Sequence, residues 1–189
     1  RTALNFISRL SGITMLTTQF VNAVKDSGVI IKDTRKTYPG NRMLEKYAVY
    51  VGGAKNHRPN LAGGILIKAT HIRALTARKV GIKEALEKAR VTVNEKTEGK
   101  LSIEIDCNTS EQVSEAIEGC PDIIMLDNMT IKQMKEAVSI NDGQAILEAS
   151  GNITGKTIKD IAHTGVQVIS VGLITYYVKA LDISLKFAN

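Results

Sequence analysis

The chain has 189 residues, 43% hydrophobic and 23% charged, ordinary values for one globular domain with a sizeable core. No apolar run approaches the roughly 18 residues that a membrane-spanning helix requires. A formal charge of +6 invites a nucleic-acid partner, but only 4% of residues are aromatic and none is Trp. A single-strand binder interleaves stacking platforms with its basic residues; an anionic small molecule, or a plainly solvated basic surface, accounts for the charge without them.

Taken in chain order, residues 1–28 read as a leading helix. Leu4, Ile7, Leu10, Ile13, Leu16 and Phe20 recur at spacings of three and four, one apolar helical face, and Asp26-Ser27-Gly28 supplies a stop signal. The chain opens at Arg1 already inside this pattern, with no secretory leader read ahead of it, and a cytoplasmic location is expected. A short strand, VIIKD, follows. RMLEKYAVYVGG is a helix closed by paired glycines, GILIKA a second strand and IKEALEKARVTV a further helix. From Leu101 strand-like runs begin at residues 101, 123, 145 and 167, each 22 residues after the last. Helical segments fill the gaps. Thr109 with Gln112 and Thr130 with Gln133 match capping boxes, and DISLKF reads as a closing strand.

Strict alternation of seven strands with helices implies parallel strands joined by right-handed crossovers. Even spacing, and the lack of a GxGxxG turn after the first strand, favour a (β/α) barrel over a doubly wound sheet. Cys107 and Cys120 are too far apart for a CxxC pair and lack a His at metal-ligand spacing, so they read as thiols in a reducing compartment.

Polar residues gather at the strand ends: DTRK, IKATH, IEID, MLDN, LEASG and VISVG. In a parallel barrel these ends share one face, where active sites of that architecture sit. Arg35, Lys36, His57, Arg58, Lys68 and His71 fall in the first half of the set, and Glu104, Asp106, Asp127 and Glu148 in the second. A cationic wall suits carboxylates or phosphates. An acidic wall either holds a divalent metal, directly or through water, or stabilises a developing positive charge. The glycines of ASGN and SVG let backbone N–H groups approach a phosphate. The residues by themselves point to a substrate carrying carboxylates beside a metal-bound phosphate ester.

The segments RTALNFISRLSGI, DTRKT-PG-R-LEKYAV-VGG, NHR--L---ILIK--HI, DIIMLDNM, LEASG-I and ALDISL, in order from Arg1 to Leu185, resemble the quinolinate phosphoribosyltransferase family, also called carboxylating nicotinate-nucleotide pyrophosphorylases. The resemblance implies an incomplete, open (β/α) barrel of about seven mostly parallel strands over residues 1–189, preceded in the family by a smaller N-terminal domain that this chain lacks. It implies that quinolinate and phosphoribosyl pyrophosphate give nicotinate mononucleotide, pyrophosphate and CO2, with Mg2+ as cofactor. It also implies a homodimer or higher homo-oligomer with shared active sites, with neither nucleic acid nor membrane as partner. By the same resemblance Thr34, Arg35 and Lys36 form the turn contacting quinolinate and phosphate, and His57 and Arg58 the substrate-binding pair. Lys68 matches a strand-end lysine that binds substrate and, with Lys36, Glu104 and Asp127, belongs to the catalytic set. Glu104 and Asp127 are also the metal-facing acids, and Ser150, Gly151 and Gly172 the phosphate turns. The chain departs from the family pattern at Asn41, Ala69-Thr70, Asn152 and Tyr176-Tyr177. Those departures leave a second reading: a related barrel acting on another aromatic carboxylate. A third is a phosphoribosyl-binding domain without catalysis, since a fold alone does not imply a reaction.

Overall fold

The computed structural model describes residues 1–187. The leading helix, α1, spans Thr2–Ala23 and buries Gly12, Ile13, Thr17 and Phe20. It stops five residues short of the expected end, because Val24 already leaves helical geometry and Gly28 turns at φ 75°. Strand β1 (Ile30–Lys32) follows, then helix α2 (Arg42–Val51). Gly52 ends α2 close against Thr17 of α1, where a Cβ would lie 2.6 Å from the threonine Cβ. Strand β2 (Ile65–Ile67) runs directly into α3 (Ala69–Thr76), a helix that ATHIRALT does not announce, with one buried apolar residue, Ile72.

The regular half continues with α4 (Ile82–Thr97), β3 (Ile103–Cys107), α5 (Ser110–Glu118), β4 (Ile123–Asp127), α6 (Ile131–Asn141) and β5 (Ile146–Ser150). It closes with α7 (Ile158–Ala162), β6 (Val168–Ser170) and α8 (Leu173–Tyr176). Thr130 and Gln133 form the reciprocal capping box at α6. Thr109 caps α5 through Gln112 N–H, but the Gln112 side chain accepts from Asn108 N–H instead.

Among the described residues six strands, not seven, form the sheet, all parallel in the order β1-β6-β5-β4-β3-β2. DISLKF is not a strand. A strand needs an edge to pair with; here the tail docks on α1, Leu181 N–H donating to Ser8 O at 3.0 Å. Leu185 and Phe187 stay 73% and 92% exposed. β1 and β2 are the two edges and do not pair with each other, so the barrel is open. A single bridge of Lys55 to Lys32 partly covers the β1 edge.

Register separates the two faces of the sheet. Ile31, Ile67, Ile105, Ile124, Leu126, Leu147 and Ile169 share one face and are buried in the core. Lys32, Glu104, Asp106, Met125, Asp127, Glu148, Ser150 and Ser170 alternate with them and face inward, as the two-residue period of a strand demands. The apolar face is sealed by helices; the polar face has nowhere to go but the barrel interior and its rim.

Candidate active site

A cavity of about 480 Å³ opens at the carboxyl ends of the strands, in the size range of small-molecule sites. Thr34, Arg35, Lys36, His57 and Lys68 line it together with Asp106, Asp127, Ser150 and Gly151. The cationic turn after β1 is tightly held. Lys36 N–H donates to Thr34 Oγ1 at 3.0 Å, and Thr175 Oγ1 donates to Lys36 O at 2.7 Å. Arg42 bonds Thr37 Oγ1 (3.0 Å), Arg35 O (3.3 Å) and Pro59 O (3.1 Å), lacing this turn to the loop after His57. Glu45, fully buried on α2, takes Arg9 at 2.6 Å and accepts from Tyr38 N–H at 3.1 Å. Pro39-Gly40 then reverses the chain, Gly40 at φ 80°.

On the acidic side Asp106 sits two residues beyond Glu104 on the same strand face. Its Oδ2 lies 3.7 Å from Lys68 Nζ, and its Oδ1 is buried without a hydrogen-bond partner. Burial pushes the Asp106 carboxyl up; Lys68 pulls it back, and the charges of Asp127 and Glu104 push it up again. Lys68 thus finds an acid from β3 where Ala69 offers none, which answers the departure at position 69. Asn128 Nδ2 donates to Asp127 Oδ2 at 3.0 Å.

The turn after β5 is a close backbone approach. Gly151 has φ 91°, and a Cβ there would run into the Asn128 side-chain oxygen. Asn152 adopts the left-handed conformation at φ 52°, which asparagine tolerates better than most residues, and donates to Asn128 Oδ1 at 3.1 Å. Gly172 does not line the cavity, but its missing Cβ makes room for Tyr176, which does. The Tyr176 ring lies 5.6 Å from Lys36 Nζ, a cation–π contact. Tyr177 points away, into an apolar groove against α1.

Beneath this cavity the interior is charged. Lys32 Nζ reaches Glu148 Oε2 at 2.7 Å, and Ser170 Oγ donates to the other Glu148 oxygen. His57 Nε2 lies 3.2 Å from Glu104 Oε2. Glu104 and Arg58 line a second cavity of about 270 Å³ beside the amino ends of β2, β3 and β4, and His57 lines both. Arg58 donates to Gly64 O, and burial, with the nearby Arg35 charge, draws its guanidinium below its ordinary value. Of the residues expected at one site, Thr34, Arg35, Lys36, His57, Lys68, Asp127, Ser150 and Gly151 therefore share the main cavity. Arg58 and Glu104 join it through His57. Asp106, expected on the acidic wall but given no catalytic or binding role, lines the cavity, as do Asn128 and Ser170 from the strand ends MLDN and VISVG, where no individual residue role was expected.

A magnesium ion takes oxygen ligands and keeps several waters. Asp127 in the cavity, with Asp106 and Glu104 close enough to perturb each other, offers such oxygens, two of them buried and unpartnered. Those residues fit the ion. His57, Glu104 and Glu148 also approach within 4.8 Å of one another, but an imidazole nitrogen suits magnesium poorly and Lys32 already neutralises Glu148.

An open parallel α/β barrel whose rim gathers cationic loops, carboxylates and a glycine turn has the chemistry that a highly charged anionic ligand requires. The model of the family described as quinolinate phosphoribosyl transferase, C-terminal domain, matches residues 13–186, and the chain belongs to that family. It is 43% identical over 185 residues to a probable nicotinate-nucleotide pyrophosphorylase [carboxylating] of Bacillus subtilis, covering 98% of this chain and 61% of that one. It is 39% identical to a mitochondrial quinolinate phosphoribosyltransferase [decarboxylating] of Nicotiana glauca, covering 98% of this chain and 55% of that one. The nicotinate-nucleotide pyrophosphorylase structure from Francisella tularensis superimposes with a TM-score of 0.88 at 42% identity, covering 97% of this chain and 62% of that one. The chain thus spans a little over half of the relatives it matches. Among the described residues no helix is long and apolar enough to cross a membrane.

Proposed function

We propose that the domain transfers phosphoribose from phosphoribosyl pyrophosphate to quinolinate with decarboxylation, giving nicotinate mononucleotide, pyrophosphate and CO2, a step of NAD biosynthesis. The observation that carries this reading is one cavity lined by Arg35, Lys36, His57 and Lys68 together with Asp106, Asp127 and the Ser150-Gly151 turn. A pyridine dicarboxylate matches the cationic loops, where Arg35 offers a planar fork of donors. The phosphate groups match Lys36 and the backbone N–H groups at Ser150 and Gly151, with Thr34 and Gly172 shaping the turns around them.

Bound in this way, the ring nitrogen faces the anomeric carbon. The N–C bond forms as the C–O bond to pyrophosphate breaks, through a transition state with oxocarbenium character. Asp127 in the cavity, with Glu104 behind His57 adding its charge from below, offsets the positive charge on the ribose. Lys36 and Lys68 stabilise the departing phosphates, and magnesium held by Asp127 with Glu104 and Asp106 nearby, directly or through water, would neutralise them further. Once the nitrogen is quaternary, the adjacent carboxylate leaves as CO2, because the resulting ylide is stabilised by that charge and then takes a proton from solvent. Alignment of the two reactants is worth roughly 7–11 kcal/mol of the barrier. No side chain in the cavity is needed as a covalent nucleophile.

The same reading places the protein in the cytoplasm as a homodimer or higher oligomer with shared sites. The outer face of α2 supports this, with Met43, Tyr47 and Tyr50 exposed at 72%, 65% and 68%; a cluster of large apolar side chains marks an interaction surface. Tyr176 at the cavity wall favours a second reading, a related enzyme for another aromatic carboxylate. Pyrophosphate release across a panel of aromatic carboxylates decides between them. Turnover is expected with quinolinate, and its absence there with turnover elsewhere in the panel overturns the first reading.

A further inference from the structure

Two loops carry the cationic wall, and neighbouring buried charges on α2 hold both. Glu45 holds the turn after β1; Lys46, 4% exposed, holds the loop of His57. Lys46 Nζ donates to both oxygens of Asp33, at 2.8 and 2.7 Å, and to His57 O at 2.9 Å. Asp33, fully buried, accepts from His57 N–H at 2.6 Å. The N–H and the C=O of His57 are therefore both tied to one buried ion pair, in a stretch of chain with no regular secondary structure. The fixed backbone leaves the imidazole against Glu104 and in the wall of both cavities.

We infer that Asp33 and Lys46 are positioning residues that clamp the His57 backbone and so aim the His57 ring at the substrate's carboxylates. The inference rests on the quinolinate reading for its kinetic consequence alone. Stability does not account for the pair: an apolar pair of similar volume usually serves a core at least as well as a buried ion pair. What an apolar pair cannot do is bond both backbone groups of one loop residue. Each group left bare would face its own desolvation cost, so the loop would shift to find water.

The test uses Lys46→Met and the double variant Asp33→Leu/Lys46→Met, which removes the pair without leaving one charge buried alone. The chain has three histidines. His71 and His163 are exposed, so the ring signals of His57 stand apart in 15N-labelled protein. The expected result is a double variant with a cooperative unfolding transition whose His57 ring signals move onto those of the exposed histidines. With it, KM for quinolinate rises at least tenfold while KM for phosphoribosyl pyrophosphate changes less than threefold. Unmoved His57 signals and an unchanged quinolinate KM in the folded variant overturn the clamp. If neither variant folds, hydrogen exchange on the unsubstituted protein decides: the His57 amide should exchange as slowly as the amides of β4, and fast exchange overturns the clamp. Failure of the unsubstituted protein to turn over quinolinate would count against the proposed function, while the ring signals and amide exchange still judge the clamp.

Discussion

Arg35 lines the cavity with its Nε buried and unpartnered, so its guanidinium is poised for a ligand rather than spent on the protein. Hydrogen bonds to charged groups are worth about 1.5–3 kcal/mol. Arg35→Ala should therefore weaken quinolinate binding about tenfold or more and leave phosphoribosyl pyrophosphate binding within threefold, as read by calorimetric titration. Equal loss of both would assign Arg35 to the wrong substrate. Asp106 makes a prediction of opposite sign for stability and activity. Its carboxyl titrates above the unfolded value, so the folded chain holds that proton more tightly than the unfolded one. Its contribution is full below the ordinary carboxylate value and is lost as pH rises through the raised one. Asp106→Asn should raise the melting temperature at neutral pH, by about 2–4 °C per kcal/mol for a chain of this size, with no gain near about pH 3. Lys68, half exposed, loses little by parting from Asp106. Turnover at saturating substrate should nonetheless fall in that variant, so stability and rate measured on one sample separate the two effects.

At the scale of elements, the inner face of the strands trades stability for a charged interior. Glu148 is fully buried and answered by Lys32 and Ser170, and breaking such a pair from one side strands a charge. Lys32→Met should cost about 3–5 kcal/mol, measured by urea unfolding at unchanged slope, while Lys32→Met/Glu148→Leu should recover most of that loss. If the single variant is as stable as the double, the ion pair is not what fills the barrel centre. The helices matter to the site in a more specific way. α2 contributes Arg42, Glu45 and Lys46 to three separate ties, and these join the two loops that carry Arg35 and His57. A loop-borne site becomes as rigid as the helix it is bolted to.

For the whole molecule, α2 leaves Met43, Tyr47 and Tyr50 exposed while burying Glu45 and Lys46. A partner seated there would reach the loops through the same helix, which links assembly to the site. If the proposed dimer forms through this face, Tyr47→Glu should raise its dissociation constant at least tenfold, equivalent to about 1.4 kcal/mol, as read by analytical ultracentrifugation with an unchanged circular dichroism spectrum. A dimer unaffected by Tyr47→Glu would move the interface elsewhere on the surface.

Most element types, the strand direction and the acids at the strand ends were legible in the sequence, because they follow from short-range rules. A period of two sorts a strand into faces, a period near 3.6 makes a helix, and alternation of the two forces parallel strands. The turn at Asn152 was legible for the same local reason. Pairing was not. DISLKF has the alternation of a strand, yet only the assembled fold decides whether it lies along a sheet edge, and Leu181 is tied to α1 instead. Nor could periodicity separate Glu104, drawn beside His57, from Asp106, two residues along the same face and in the main cavity. That choice depends on which loop lies over each carboxylate. The residues of the site were written into the chain, but their grouping came from contacts between segments far apart in it, where burial and charge are settled by packing rather than by local pattern.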